Sequence, residues 1–269
     1  MSAANHATDP AALDGLHVLV TRPARQAQPL CARLVSSGAR PLRFPTLEIL
    51  EPADTTALQQ VARGLDRYDW AIFISTNAAE YGVPWLERHG RPPERLRYAV
   101  VGPATEMALK YYGLPVHVRP TEQYDAEGLL AHPQLGDIAG QRVLIFRGED
   151  GNETLGAILR ERGATVDYAA CYRAVRPHAD PAQLHDWLEH NSIHVLTATS
   201  MRSLENLLEM TDEDHRDALR ALPLAAISTR VARRALELGF SGAVSVAPTA
   251  NDAGVVKAIE LWREESATE

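Results

Sequence analysis

The chain has 269 residues, of which 45% are apolar and 23% charged, and a net charge of −8 at pH 7. At about 150 residues per domain this length suggests two domains, and the composition can bury a core. The acidic balance counts against a nucleic-acid or membrane-surface partner, since both need clustered Lys and Arg to replace counterions. An anionic ligand remains open, because a local group of N–H donors can bind one against the global charge.

Met1–Pro10 is Ala-rich and polar, so residues 1–13 read as a disordered lead and not as an export signal. No apolar run approaches the ~18–20 residues a membrane-spanning helix needs, and a cytoplasmic location is expected. Beyond the lead, short β-branched runs alternate with helical patterns. The candidate strands are Leu16–Val20, Trp70–Ile74, Tyr98–Val101, Val116–Val118, Arg142–Phe146, His194–Thr197, Leu224–Ile227 and Ala243–Val246. The segments between them carry apolar residues three and four apart, such as Leu30, Leu34 and Val35, or Leu155, Ile158 and Leu159. Four helices run into a glycine, Gly38, Gly113, Gly163 and Gly239, which can take the left-handed conformation that stops a helix. The alternation predicts parallel sheets covered on both faces.

The second half repeats the first. VLVTR at Val18–Arg22 returns as VLIFR at Val143–Arg147, and AIFIST at Ala71–Thr76 returns as VLTATS at Val195–Ser200. The segment from Tyr98 returns from Leu224, and Pro120-Thr121 with Asp125-Ala126 and Gly128 returns as Pro248-Thr249 with Asp252-Ala253 and Gly254. All four blocks keep their order at offsets between 124 and 128. A duplicated β/α plan predicts two lobes with a cleft between them. Two extended stretches, Arg40–Leu50 and Thr165–Val175, fit either a third strand in each lobe or paired connectors.

In open parallel sheets ligands bind beyond the carboxyl ends of the strands, at helix N-termini. Those positions here are Thr21-Arg22-Pro23, Ser75-Thr76-Asn77, Gly102-Pro103-Ala104-Thr105, Arg147-Gly148, Thr199-Ser200 and Ser228-Thr229-Arg230. A plain N-cap explains any one of the hydroxyls. Together they suggest a cleft lined by N–H and O–H donors, suited to a ligand with several carboxylates or phosphates. Other chemistries find no support. VVGPAT is not a dinucleotide fingerprint, and neither a phosphate loop nor a Gly-x-Ser-x-Gly elbow occurs. The two cysteines, Cys31 and Cys171, lack metal-ligand spacing, and Cys31 reads as a core thiol. The ten histidines are scattered, with His185 and His190 as surface residues, and Asp212–Asp214 reads as a solvated loop, so no metal site is expected.

The blocks resemble the uroporphyrinogen-III synthase family. The similarity runs through VLVTRPARQAQPLCARLVSSGARPLRFPTLEI from Val18, IFISTNAA from Ile72, AVVGPATEMALKYYGLP from Ala99 and DAEGLL from Asp125. It continues through LIFRGEDG from Leu144, ERGATVDYAACYRA from Glu161 and AAISTRVARRALELGF from Ala225, covering roughly residues 14–262. The resemblance implies an α/β fold of two parallel-sheet lobes joined by a two-stranded connector. It places 14–43 with 174–264 in one lobe and 44–173 in the other, so that the copies exchange their first β/α units.

The activity implied is the cyclisation of hydroxymethylbilane, a linear tetrapyrrole with eight carboxylates, with inversion of its last ring and loss of water. No metal or organic cofactor is implied. Loss of the terminal hydroxyl gives an electrophilic azafulvene, then a spiro intermediate, then the closed macrocycle. By the same resemblance Tyr172 is the catalytic candidate, as proton donor or water-orienting group, beside a reading as a packing tyrosine. Thr21, Arg22, Ser75, Thr76, Gly102, Thr105, Arg147, Gly148, Ser200, Ser228 and Thr229 are the substrate-binding candidates. The chain departs from the family at Val231, where threonine is frequent, and at Asn152, where arginine is frequent. The expected state is a monomer, with hydroxymethylbilane synthase as a transient partner. A non-catalytic sensing domain of the same fold is the alternative, disfavoured because the chain ends at Glu269 with no DNA-binding module. A two-lobed solute-binding protein is disfavoured by the lack of an export signal.

Overall fold

A computed structural model describes residues 11–89 and 92–267, which form two compact units. One runs to Glu48 and resumes at Val175; the other is Ile49–Ala174. The lead expected over 1–13 lies outside the described residues as far as Pro10. From Ala11 the chain is ordered: Leu13 is fully buried and its N–H donates to the Ser37 carbonyl at 2.8 Å.

The discontinuous unit opens with β1 (His17–Val20), α1 (Ala24–Ser36) and β2 (Arg40–Arg43). The continuous unit follows with β3 (Glu48–Leu50), α2 (Thr56–Arg63), β4 (Trp70–Phe73), α3 (Thr76–His89), β5 (Arg97–Val100) and α4 (Pro103–Tyr111). It is completed by α5 (Ala126–Leu130), α6 (Pro133–Gly136), β6 (Arg142–Gly148), α7 (Thr154–Glu161) and β7 (Thr165–Val175). The chain then returns to the first unit through α8 (Ala182–Glu189), β8 (Val195–Ala198), α9 (Met201–Glu209), α10 (Glu213–Arg220), β9 (Leu224–Ala226), α11 (Thr229–Glu237), β10 (Val244–Val246) and α12 (Asp252–Ser266).

Each unit holds one five-stranded sheet, in the order β10-β9-β8-β1-β2 and β3-β7-β6-β4-β5. The pairings of β1 with β2 and β8, of β9 with β8 and β10, and of β6 with β4 and β7 are parallel, as is that of β4 with β5. Thus β1, from the first sequence copy, pairs with β8 from the second. The extended stretch Arg40–Leu50 is divided between the sheets, β2 beside β1 and β3 beside β7.

Successive strand residues face opposite sides of a sheet, and here both sides are buried. In β4, Ala71 and Phe73 pack into one core cluster while Trp70 and Ile72 pack into another. In β8, Leu196 and Ala198 face one cluster and Val195 the other. Phe73 and Phe146 stack at 4.4 Å between ring centroids, locking neighbouring strands. Gly38, Gly113, Gly163 and Gly239 all have positive φ, from +73° to +89°, and end their helices as the sequence suggests. No helix among the described residues is long and apolar enough to cross a membrane.

Three local expectations change. Val116–Val118 forms only an isolated bridge, Ala99 with Val118, because Pro115 and Pro120 bracket a segment too short for a ladder. Asp212–Asp214 is no loop: Asp212 precedes α10, whose first turn carries Glu213 and Asp214, where acids favour the helix dipole. His185 is half-buried and stacks on His215 with centroids 4.1 Å apart, while His190 is exposed.

Candidate active site

Parallel strands deliver their carboxyl ends to one edge of a sheet, and in both units the chain there turns into helix N-termini. In the discontinuous unit Ser200 Oγ accepts from Ser203 N–H at 3.0 Å to cap α9, and Ser228 Oγ accepts from Val231 N–H at 3.5 Å to cap α11. Asn251 Oδ1 accepts from Gly254 N–H at 2.8 Å to cap α12. In the continuous unit Ser75 Oγ accepts from Ala78 N–H at 3.0 Å to cap α3, the extended Gly102 precedes Pro103 of α4, and Asp125 Oδ1 accepts from Gly128 N–H at 2.9 Å to cap α5. The caps repeat as Ser75 with Ser200, Gly102 with Ser228, and Asp125 with Asn251. The last pair corrects the alignment of Asp125 with Asp252: the cap of α12 is one residue earlier. Each side-chain cap uses one first-turn N–H, Gly102 uses none, and the remaining ones keep the helix end attractive to anions.

The predicted site residues fall into three groups. Ser75, Thr76, Ser200 and Ser228 are half-buried at strand ends, and Thr229 is exposed. Arg22 is at the same edge, with Nη1 2.6 Å from Asp252 Oδ1 and side-chain exposures of 17% and 20% for the two. Asp252 was missed from the sequence because its partner lies 230 residues away. Thr21 and Thr105 form a second group, 2% and 3% exposed. The Thr21 hydroxyl donates to Thr197 O at 3.3 Å and accepts from Ser203 Oγ at 3.2 Å, so it is spent inside the unit. Val231, the counterpart of Thr105, is buried too at 4%, and a hydroxyl missing there changes packing more than surface chemistry.

The third group is built on β6 and β7. Arg147 lies across the Tyr168 ring at 4.5 Å, with Nη1 3.3 Å from Glu153 and Nη2 donating to Glu149 O at 3.3 Å. It is folded back on its own loop. Asn152 belongs to that loop as well, its Oδ1 accepting from the Thr154 N–H at 2.7 Å and hydroxyl at 2.6 Å. The register between β6 and β7 shifts between Arg147 and Gly148, bringing Gly148 opposite Tyr172, and Glu149 N–H donates to Tyr172 O at 2.9 Å. A Cβ at Gly148 would meet Cε2 and Cζ of Tyr172 at 2.9 Å. The Tyr172 hydroxyl lies 3.2 Å from Ser75 Oγ.

Electrostatics around these elements follow from hydrogen bonds and burial. Lys110, bonded to Glu106 in α4, holds that carboxyl below its ordinary value, with Arg119 assisting. A hydrogen bond from Gly128 N–H does the same for Asp125. Burial pushes the Cys171 thiol, next to Tyr172, up to about 12. Among the described residues no group of three or more His, Cys, Asp or Glu side chains is arranged to hold a metal ion.

The family model for uroporphyrinogen-III synthase HemD matches residues 28–256. The chain belongs to the uroporphyrinogen-III synthase family. It is similar to the Salmonella typhimurium uroporphyrinogen-III synthase, 31% identical over 91% of this chain and 100% of that one. The Escherichia coli synthase is 29% identical over 91% of this chain and 100% of its own length. The fold is that of a mutant uroporphyrinogen III synthase from Thermus thermophilus, at a TM-score of 0.63 and 18% identity, covering 93% of this chain and all of that one. The Helicobacter pylori uroporphyrinogen-III synthetase structure gives a TM-score of 0.57 at 16% identity, covering 91% and 99%.

Proposed function

We propose that the cyclisation of hydroxymethylbilane, the lyase reaction that family membership assigns to this chain, runs at these strand-end edges with Tyr172 as the proton donor. The reading is carried by one observation, the Tyr172 hydroxyl set 3.2 Å from the helix cap Ser75. A phenol there can give its proton to the terminal hydroxyl of the substrate as the C–O bond breaks, so the group departs as water. The pyrrole nitrogen pushes electrons toward the carbon left behind, making it electrophilic. Attack by the substituted carbon of the last ring gives the spiro intermediate; its fragmentation and reclosure invert that ring. The proton borrowed from the tyrosine returns when the attacking pyrrole regains aromaticity.

The carboxylates of the substrate fit the capped helix ends. Arg22, Thr76, Gly102, Gly148, Ser200, Ser228 and Thr229 are the contacts we assign, and Arg147 shapes the loop that follows Gly148. Thr21 and Thr105 are assigned to the site through their main-chain N–H groups, since both side chains are enclosed. Holding the two reacting ends of a flexible chain together is itself a large contribution, because it replaces a search through conformations with one geometry. Two free cysteines fit a reducing compartment, and we assign the enzyme to the cytoplasm, as a monomer that receives its unstable substrate from hydroxymethylbilane synthase.

The test supplies porphobilinogen and hydroxymethylbilane synthase, oxidises the products and separates the uroporphyrin isomers. Type III product is expected; type I alone, with folded protein present, overturns the reading. A Tyr172→Phe variant as fast as the parent removes the tyrosine from the chemistry and leaves the activity standing.

A further inference from the structure

We infer that Ser75 is a positioning residue for Tyr172, acting through the phenol and not through the substrate, an inference that rests on the proton-donor reading above. The Tyr172 side chain has two torsions to fix. Its ring plane is set by Gly148, where even a Cβ would stand 2.9 Å from Cε2 and Cζ and 3.2 Å from the hydroxyl oxygen. The backbone beneath is set by Glu149 N–H, which donates to Tyr172 O at 2.9 Å. What remains is where the hydroxyl stops, and Ser75 Oγ lies 3.2 Å from it.

Ser75 can serve as a fixed post because it is itself fixed. Its Oγ accepts from Ala78 N–H at 3.0 Å, and Ala78 and Ala79 at the base of α3 are fully buried. The phenol oxygen therefore takes its position from a helix embedded in the core. With Ala78 N–H occupying one lone pair, Oγ retains its own proton and a second lone pair. It can accept a hydrogen bond from the phenol O–H at rest, or donate one to the phenol oxygen once that proton has gone. Donation at that moment stabilises the developing phenolate without adding or removing a proton overall.

The experiment measures type III formation by the parent, Ser75→Ala, Tyr172→Phe and the double variant, with Tm recorded for each. A lost hydrogen bond of this kind is expected to lower kcat about three- to tenfold with KM unchanged. Ser75→Thr, which keeps the hydroxyl, is expected to restore the rate. In the Tyr172→Phe background Ser75→Ala is expected to change the rate by less than about twofold, because the two side chains act as one unit. An additive loss, or an effect on KM, overturns the inference and leaves the tyrosine reading intact. Full activity in Tyr172→Phe overturns both. Should that background be too slow to read, 3-fluorotyrosine at position 172 supplies a signal independent of turnover. Its 19F resonance is expected to shift or broaden in Ser75→Ala protein that keeps its fold; an unchanged resonance overturns the inference.

Discussion

Thr21 Oγ1 and Ser203 Oγ lie 3.2 Å apart in the interior of the discontinuous unit, and Thr46 Oγ1 closes on the same Ser203 oxygen at 2.7 Å. Thr197 joins through its hydroxyl bond to Leu19 O at 2.9 Å, and Asn206 Nδ2 donates to Thr46 O at 2.7 Å. This network ties β1, β8 and α9 to the segment after β2, all at 9% exposure or less. A buried polar group that loses its partner costs about 1–3 kcal/mol. Thr21→Ala and Ser203→Ala are each expected to destabilise the protein by about that amount. Thermal or urea unfolding measures it, while KM for hydroxymethylbilane is expected to stay unchanged at temperatures where both variants are folded. A raised KM in Thr21→Ala would show the hydroxyl contacting substrate after all.

Gly128 and Gly254 stand at equivalent points in the duplicated plan, each in the first turn of a capped helix. A Cβ at Gly128 would fall on the carbonyl oxygen of Gln123, and one at Gly254 on that of Thr249. Neither carbonyl can yield as a flexible side chain would. Gly128→Ala and Gly254→Ala are therefore each expected to cost roughly 1–3 kcal/mol, the usual range for overpacking. Gly136→Ala, where a Cβ meets nothing within 4 Å, is the control and is expected to leave Tm nearly unchanged.

These glycines show why so much of the fold is legible along the chain. A helix stop, a cap and a close backbone approach are local demands that admit few residue types, so both copies keep them at nearly constant offset. Strand pairing is different. Pattern alone leaves Arg40–Leu50 open between a third strand and a connector, and the structure uses it as both, β2 beside β1 and β3 beside β7. Which sheet a strand joins is decided by partners more than a hundred residues away, such as Val18 beside Val195, and no window of sequence contains that choice. The site divides the same way. Ser75, Ser200 and Ser228 are readable as caps because a cap is local. The burial of Thr21 and the partnership of Arg22 with Asp252 depend on what packs above them, and Thr21 looks in sequence like any hydroxyl at a strand end.

Asp125 and Asn251 offer a test of how charge enters a duplicated cap. The Asp125 carboxyl is held below its ordinary 3.8, first by the hydrogen bond from Gly128 N–H and then by the Gln123 side chain. A depressed carboxylate adds stability above its unfolded-state value, and that stability fades as pH falls through the lower folded value. Asp125→Asn keeps a capping oxygen, as Asn251 does, but has no charge to lose. The variant is expected to be slightly less stable than the parent at pH 7, with the gap closing below about pH 3.8. Denaturation midpoints measured from pH 7 down to pH 3 check this; a gap that widens in acid would contradict the assigned direction.

Cys171 lies beside Tyr172 in β7, 2% exposed, with Sγ 3.5 Å from the carbonyl oxygens of Ala78 and Arg147. Burial pushes its thiol up to about 12, so almost no thiolate exists near neutrality. Cys31 is raised by burial too, but it is only half-buried and Arg43 pulls it back down. Iodoacetamide at pH 8 is therefore expected to modify Cys31 first. Cys171 should react only as its part of the sheet opens, at a rate that rises steeply with urea. Peptide mapping by mass spectrometry separates the two sites. Because an adduct on Cys171 cannot fit between β7 and α3 without moving Tyr172, loss of type III product is expected to follow modification of Cys171 and not of Cys31. Activity lost in step with Cys31 would point instead to α1, which carries that thiol, as part of the working surface.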